Sequence, residues 1–192
     1  STAGNTDTMV NKYTASRRLR TSDAYSPGGQ IGTRPDRATI AYTARARQAF
    51  KGVPVVIGGV EASLRRFAHF DFWQEKIRGS MLLDAKADLL VFGMGETTIV
   101  EIAQRLRDGQ PVTACRDIPG VCWAAGAKDV LPEGDDVIEM PSLEACRQDP
   151  LAFNRCTLLM YRESNPHCGR VLIQRQGSRA IIQNKPAIPL ET

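Results

Sequence analysis

Short apolar runs alternate with glycine turns and amphipathic segments along the first two thirds of the chain. Residues 53–57 and 88–92 are rich in β-branched and large aliphatic side chains and are followed by glycine, which predicts two buried strands. About thirty residues separate them, enough for a crossover, so we expect the two strands to pair in parallel. A helix is predicted at 96–108. Its apolar face comprises Ile99, Val100, Ile102, Ala103 and Leu106.

The pattern elsewhere predicts the remaining elements. A helix is expected at 6–20 and a third strand of the same parallel sheet at 121–124. Two further helical patterns follow Ser142, which is a suitable N-cap residue. Residues 171–175 and 180–184 flank Gln-Gly-Ser-Arg and predict a hairpin.

These elements predict an α/β fold with a parallel sheet, divided into three segments. Residues 1–125 form the α/β domain, and residues 126–141 form a polar linker rich in proline, glycine and aspartate. Residues 142–192 add a C-terminal helical segment and the β-hairpin.

Composition limits the class of protein. Of the 192 residues, 42% are hydrophobic and 24% are charged, as in soluble globular domains and unlike disordered or collagen-like chains. No apolar run approaches the roughly 18 residues that a membrane-spanning helix needs, so no membrane partner is expected. The chain opens Ser-Thr-Ala without an initiator methionine, and we expect it to be a piece of a longer polypeptide.

Charge is distributed unevenly along the chain. Residues 1–66 carry 11 Lys and Arg against 4 Asp and Glu, whereas residues 67–150 carry 8 against 15. A basic first third suits contact with phosphate, nucleic acid or an acidic neighbouring domain. Arginine-rich helices with a solvated face explain the same pattern, and the sequence leaves these alternatives open.

The five cysteines are odd in number and irregularly spaced, unlike the framework of a secreted disulfide scaffold. This usage favours a reducing compartment, and we expect the protein to be cytoplasmic. No two cysteines are separated by only two or three residues, the usual spacing of ligands to zinc or an iron–sulfur cluster. No metal site is therefore predicted.

Two glycine turns mark the first part of the candidate site, because each follows a predicted strand. They are Gly58-Gly59 and Gly93-Met94-Gly95-Glu96. Ligands of parallel α/β sheets bind in the crevice beyond the carboxyl ends of the strands, where glycine allows close approach to the backbone. Tight strand-to-helix turns explain these glycines equally well, with Glu96 as a favourable first-turn carboxylate. Neither turn has the three glycines of a dinucleotide fingerprint.

The most polar cluster of the chain follows directly and comprises Glu61, Arg65, Arg66 and His69. A helix that begins near Glu61 places Arg65 one turn further on the same face, where the two side chains can pair. Arginine at a strand end can also bind a carboxylate or phosphate. We expect the cluster to line a surface covered by another part of the polypeptide, with an ordinary solvated helix start as the alternative. No catalytic residue is predicted, since neither histidine has an Asp or Cys partner at a motif spacing.

Several blocks, in order over nearly the whole chain, resemble one known family. They are NTDTMVNKYT (5–14), RPDRA (34–38), PVVIGGVEASLRRFAH (54–69), DLLVFGMGE (88–96) and NKPAIPL (184–190). This set resembles the N-terminal region of the bacterial YgiQ-type radical SAM proteins, and its run from Gly58 to His69 is specific.

The resemblance implies a piece of an iron–sulfur enzyme. Radical SAM proteins hold a [4Fe-4S] cluster through a Cys-x3-Cys-x2-Cys run, and the cluster binds S-adenosylmethionine and cleaves it to a 5′-deoxyadenosyl radical. That run is absent here and lies beyond the NKPAIPL block in the family. The resemblance therefore implies no cofactor in this chain, no activity of the chain alone, and a further strand and helix before residue 1.

Residues 58–120 are also similar to the second half of the cobalamin-binding-type domain that precedes many radical SAM cores, which implies a Rossmann-like fold. The Asp-x-His-x-x-Gly motif of some cobalamin proteins does not occur. The expected function is an accessory N-terminal domain that shapes or covers the active site of a downstream radical SAM core, its partner in the same polypeptide. The alternative is a module that binds cobalamin, a nucleotide or nucleic acid through its basic first third.

Overall fold

The structure, a computed structural model, describes residues 7–190, and these form a six-stranded sheet, a two-stranded sheet and seven α-helices. The strands are β1 (Val56–Ile57), β2 (His69–Asp71), β3 (Lys76–Arg78), β4 (Leu89–Val91), β5 (Val121–Ala125), β6 (Val137–Glu139), β7 (Val171–Gln176) and β8 (Arg179–Gln183). The helices are α1 (Thr8–Lys12), α2 (Ala38–Ala49), α3 (Gly59–Leu64), α4 (Met81–Asp84), α5 (Glu96–Arg107), α6 (Leu143–Gln148) and α7 (Pro150–Arg162). Short 3-10 turns lie at Pro27–Gly29 and Val112–Cys115.

The six-stranded sheet is mixed and has the strand order β1-β4-β5-β8-β7-β6. The outer pairs β1–β4 and β6–β7 are parallel, whereas the three pairings between β4 and β7 are antiparallel. The α/β class and the parallel pairing of the first two predicted strands are confirmed. A wholly parallel sheet is wrong, and the Rossmann-like, cobalamin-binding-domain-like assignment is not confirmed.

The direction of β5 follows from the connection after α5. Residues 108–120 include a 3-10 turn and bring the chain back to the carboxyl end of β4, where the Phe92 N–H donates to the carbonyl of Gly120 at 3.0 Å. Because β5 begins at the end of β4 instead of at its start, the two strands run in opposite directions. The sequence pattern identifies the strand but does not specify this return path.

The predicted C-terminal hairpin is present and occupies the middle of the same sheet. Strands β7 and β8 are joined by the two-residue turn Gly177-Ser178, and β8 pairs with β5 through Trp123 opposite Ile182. The polar segment 126–141 contains the edge strand β6. Strands from residues 1–125 and from residues 142–192 thus share one sheet.

Hydrophobic clusters lie on both faces of this sheet. On one face, helices α3, α4, α6 and α7 cover a cluster that includes Leu90, Leu172 and Ile181. On the other face, α5 packs through Ile102 against a cluster that includes Leu89 and Ile173. Helix α6 begins as expected, since the Ser142 Oγ accepts a hydrogen bond from the Ala145 N–H at 3.1 Å.

The first helix is shorter than predicted. The predicted start at residue 6 lies outside the described residues, and α1 ends at Lys12 because Tyr13 is extended and forms a β-bridge with Leu19. Arg17, with φ 57°, makes the tight turn between them. Apolar spacing over 6–20 therefore marks a helix followed by a small loop.

A row of buried glutamines holds the segment between β1 and β4 against the central hairpin. The Gln174 side chain accepts from the Ala68 N–H at 2.8 Å and donates to the carbonyl of Pro141 at 3.0 Å. The Gln176 side chain accepts from the Ser80 N–H at 2.9 Å and donates to Gln174 at 2.9 Å. We name this set, together with the buried Gln183 of β8, the glutamine clamp.

We predict that Gln174→Leu destabilises the fold by about 1–3 kcal/mol, because it leaves the buried Ala68 N–H and Pro141 carbonyl without partners. Urea unfolding at neutral pH measures this loss. Gln148→Leu, at an exposed position of α6, is the matched control and should stay within about 0.5 kcal/mol of the wild type. Equal unfolding free energies for the two variants would show that the clamp is dispensable.

Candidate functional site

The two predicted glycine turns lie side by side. Since β1 and β4 are parallel neighbours, with Ile57 opposite Leu90, both strands end at the same edge of the sheet. We call this region the strand-end edge and define it by Gly58, Gly59, Gly93, Met94, Gly95 and Glu96. Within it, Met94 and Glu96 are exposed to solvent.

Each glycine of the strand-end edge has a structural reason. A Cβ on Gly58 would lie 3.3 Å from the Val91 carbonyl, and one on Gly95 would lie 2.6 Å from the Val91 side chain. Gly59 and Gly93 have φ values of 81° and 68°, which favour glycine. These glycines make tight turns, and they also leave the backbone open at the carboxyl ends of the two strands.

The predicted pair between the Glu61 and Arg65 side chains does not form. Glu61 is almost fully buried, and its Oε2 accepts a hydrogen bond from Thr8 Oγ1 at 2.6 Å. Its other carboxylate oxygen has no hydrogen-bond partner among the described residues. Arg65 instead forms an ion pair with Asp7, which precedes α1. The two side chains therefore fasten α1 to α3.

Arg66 is buried, in contrast to the surface position expected from the sequence. Its Nε donates to the Gln183 side-chain oxygen at 2.6 Å and its Nη1 to the Ser63 carbonyl at 2.6 Å. The guanidinium carbon lies 4.9 Å from the centre of the Phe92 ring, a cation–π contact. Burial lowers the pKa of Arg66, with no carboxylate of residues 7–190 in an ion pair with it to oppose the shift.

His69 lies at the wall of a groove between α1, α3, β2 and α7, with a volume of about 380 Å³. Its Nδ1 lies 3.2 Å from the Phe67 carbonyl and donates to it, which leaves Nε2 as an acceptor in the neutral ring. Burial lowers the pKa of His69 to about 4. The neutral ring is thus part of the packing between β2 and its neighbours.

Most of the basic charge of the first third is neutralised within the chain. Six of the eleven Lys and Arg side chains of residues 1–66 form ion pairs, and three of their acidic partners come from the acidic middle segment. The three pairs that join the two segments are Arg17–Glu75, Arg37–Asp71 and Arg47–Asp88. Three ion pairs therefore connect the basic first segment to the acidic middle segment.

The cysteines do not form a metal centre in the part of the chain that the structure describes. All five are free thiols, and four of them are buried. Burial raises the pKa of Cys122 and Cys156 to about 12, which disfavours the thiolate that binds metals. No three His, Cys, Asp or Glu side chains between residues 7 and 190 are grouped so that they could hold a metal ion. A [4Fe-4S] cluster therefore does not fit these residues.

Sequence reasoning missed the residues that hold the site in place. Gln174 and Gln176 occupy alternate positions of β7 and face the core, as does Gln183 of β8. Polar residues at alternate positions of an otherwise apolar strand are the sequence signal that indicates them.

Along residues 7–190, none of the helices has both the length and the apolar character required to cross a bilayer.

The fold and the site together define an α/β domain with a strand-end edge. The family model described as Radical SAM N-terminal matches residues 1–192. The chain belongs to this family, which confirms the resemblance to YgiQ-type proteins.

Similar proteins in several organisms cover almost all of the chain. A UPF0313 protein of Geobacter sulfurreducens is 51% identical over 189 residues, which are 98% of this chain and 31% of that protein. A UPF0313 protein of Rhodopseudomonas palustris is 48% identical and that of Thermotoga petrophila 47% identical. Their matches cover 100% and 98% of this chain and 31% and 32% of the relatives. The chain thus spans about a third of the length of these curated relatives. No solved structure matches it.

We predict that His69 makes stability depend on pH between its ordinary pKa of 6.5 and its pKa of about 4 in the fold. His69 binds a proton more readily in the unfolded chain than in the fold. The free energy of unfolding is therefore highest above about pH 6.5, and it falls by up to about 3 kcal/mol on acidification to pH 4. Unfolding free energies measured across this range should show the fall.

The matched variant is His69→Asn, whose amide can still donate to the Phe67 carbonyl but does not titrate. Its stability should change less over the same range. A pH dependence identical to that of the wild type would assign the effect to other groups.

Proposed function

We propose that the chain is the accessory N-terminal domain of a radical SAM enzyme, and that its strand-end edge shapes or covers the active site of the downstream core. The observation that carries this proposal is the adjacency of the two glycine turns at the carboxyl ends of parallel β1 and β4. Ligand sites of α/β sheets form at such edges. Family membership supports the assignment and implies a [4Fe-4S] cluster and S-adenosylmethionine for the full-length protein.

The exposed side chains of the edge suit contact with another surface. Met94 is 58% exposed at the tip of the turn between β4 and α5. Methionine is flexible and polarisable and adapts to irregular apolar partners. Glu96 begins α5, where the helix dipole stabilises its charge, and is exposed for a polar contact. The edge therefore offers one apolar and one anionic group to the surface that covers it.

Buried polar contacts fix the position of this edge. Arg66 connects the segment after α3 to Gln183 of the central hairpin and to Phe92 at the end of β4. Movement of the edge would break hydrogen bonds of a buried charged group, which are costly to lose. In this proposal Arg66 is a positioning residue, and the surface residues of the edge make the contacts.

The ion pairs of the first third weaken the alternative of nucleic-acid or nucleotide binding. Besides the buried Arg66, four basic side chains of residues 7–66 have no ion pair and are exposed: Arg18, Arg20, Arg45 and Lys51. No contact of the described residues specifically favours cobalamin. The accessory role is consequently the function that the site supports best, with inactivity of the isolated chain and a cytoplasmic location as its corollaries.

A test uses the full-length polypeptide carrying its cluster under anaerobic conditions. We predict that Met94→Asp increases the rate at which a water-soluble iron chelator removes iron several-fold, because an unpaired carboxylate opposes burial of the edge. The matched control is Leu151→Asp on α7, where the replaced side chain is 74% exposed. Circular dichroism verifies that both variants fold.

The chelation rate of the control should equal that of the wild type. Equal rates in all three proteins would show that the strand-end edge does not cover the cluster-bearing core.

A further inference from the structure

Helix α5 exposes several apolar side chains to solvent. Of its predicted apolar face, Ile102 is fully buried against the sheet, whereas Ile99 is 43% and Val100 is 53% exposed. At 100° per residue, Ile99, Ala103 and Val100 lie about 60°, 100° and 160° from Ile102, so they span one sector from beside the sheet contact to the solvent side. Ala103 is also exposed. We call these three residues the outer face of α5.

The last described segment of the chain lies along the other flank of α5. Thr97 and Glu101, on the flank of α5, line a cavity of about 420 Å³ together with Pro186 and Ile188. Ile188 is exposed, as is Leu190. The tail therefore lies beside α5, next to the helix turn that leads from Thr97 to Val100.

The tail is fixed where it passes α5. The Gly120 N–H donates to the Lys185 carbonyl at 2.8 Å, and Ala187 is buried. A Cβ on Gly120 would lie 3.1 Å from the Ala187 Cβ, so the two segments are in close contact. Proline at 186 and 189 restricts the backbone further. The polypeptide beyond residue 190 of the full-length protein therefore starts beside α5.

We propose that the outer face of α5 is the surface on which the remainder of the same polypeptide docks. This inference rests on the proposed function and adds the contact surface to it. Contiguous exposed apolar residues mark interaction sites, and the chain accounts for only 31% of its Geobacter relative, so a large partner of the same polypeptide is implied. The fixed tail brings that partner to α5.

Helix α7 provides a matched comparison. It also exposes apolar side chains, among them Leu158 at 47%, but it packs on the opposite face of the sheet through Cys156. Mutations of similar exposure on α5 and α7 therefore separate docking at the outer face from a general effect of surface charge.

The experiment measures the radius of gyration of the full-length polypeptide by small-angle X-ray scattering and its mass by sedimentation. Val100→Asp should expand the monomer, because an aspartate cannot be buried unpaired in an apolar contact. Leu158→Asp should leave the dimensions unchanged. Val100→Ser, a milder replacement on the same face, gives the test if Val100→Asp fails to fold, and it should cause a smaller expansion.

Two results would overturn the inference. Unchanged dimensions in both folded Val100 variants would place the docking surface elsewhere, and a change from dimer to monomer without expansion would assign the outer face to a second copy.

The chelation assay separates this inference from the proposed function. Faster iron loss in Met94→Asp with no expansion in Val100→Asp contradicts only the docking surface. Expansion in Val100→Asp with unchanged iron loss in Met94→Asp contradicts only the role of the edge.

Discussion

The arrangement of the candidate site depends on hydrogen bonds between the central hairpin and the segment that joins β1 to β4. The glutamine clamp supplies them, since Gln174, Gln176 and Gln183 bind Ala68, Ser80 and Arg66 across about a hundred residues of sequence. Each of these groups is buried. Leaving one of them without a hydrogen bond would therefore cost more folding free energy than the hydrogen bond itself contributes. The segment consequently has one favourable position on the sheet.

These hydrogen bonds connect the middle of the sheet to the strand-end edge. Arg66 contacts both Gln183 of β8 and the ring of Phe92, which directly follows β4. The strand-end edge is therefore held by residues far away in sequence, while its own glycines only permit the turns. Ion pairs such as Arg47–Asp88 connect the basic first third to the start of β4, at the opposite end of the strand. Helix α5 begins at the strand-end edge, and the residues of its outer face follow within the next two turns of the helix.

Local sequence signals were sufficient for elements with buried apolar runs and clear ends. Strands β1 and β4, helix α5 and the hairpin have such signals, and their parallel or antiparallel pairing within each pair was predictable. The direction of β5 was not, because it depends on where residues 108–120 return the chain. The apolar face of α5 was identified as a whole, but only tertiary packing determines that Ile102 faces the sheet while Val100 faces solvent.

The polar cluster illustrates the same limit at the site. Its residue types suggested a solvent-facing pair of Glu61 and Arg65. In the structure Glu61 instead accepts a hydrogen bond from Thr8, and Arg65 forms an ion pair with Asp7. Arg66 is buried because distant Gln183 and Phe92 provide its partners, which no local spacing reveals. The positions of the glycine turns were predictable, since they follow from the strands alone.

The most direct measurement of the central claim is the distance between this domain and the [4Fe-4S] cluster that we propose for the downstream core. In the full-length protein, pulsed electron paramagnetic resonance between the reduced cluster and a spin label attached through Met94→Cys or Leu158→Cys compares the strand-end edge with the exposed side of α7. The account predicts a clearly shorter distance from position 94. An equal or shorter distance from position 158 would contradict it.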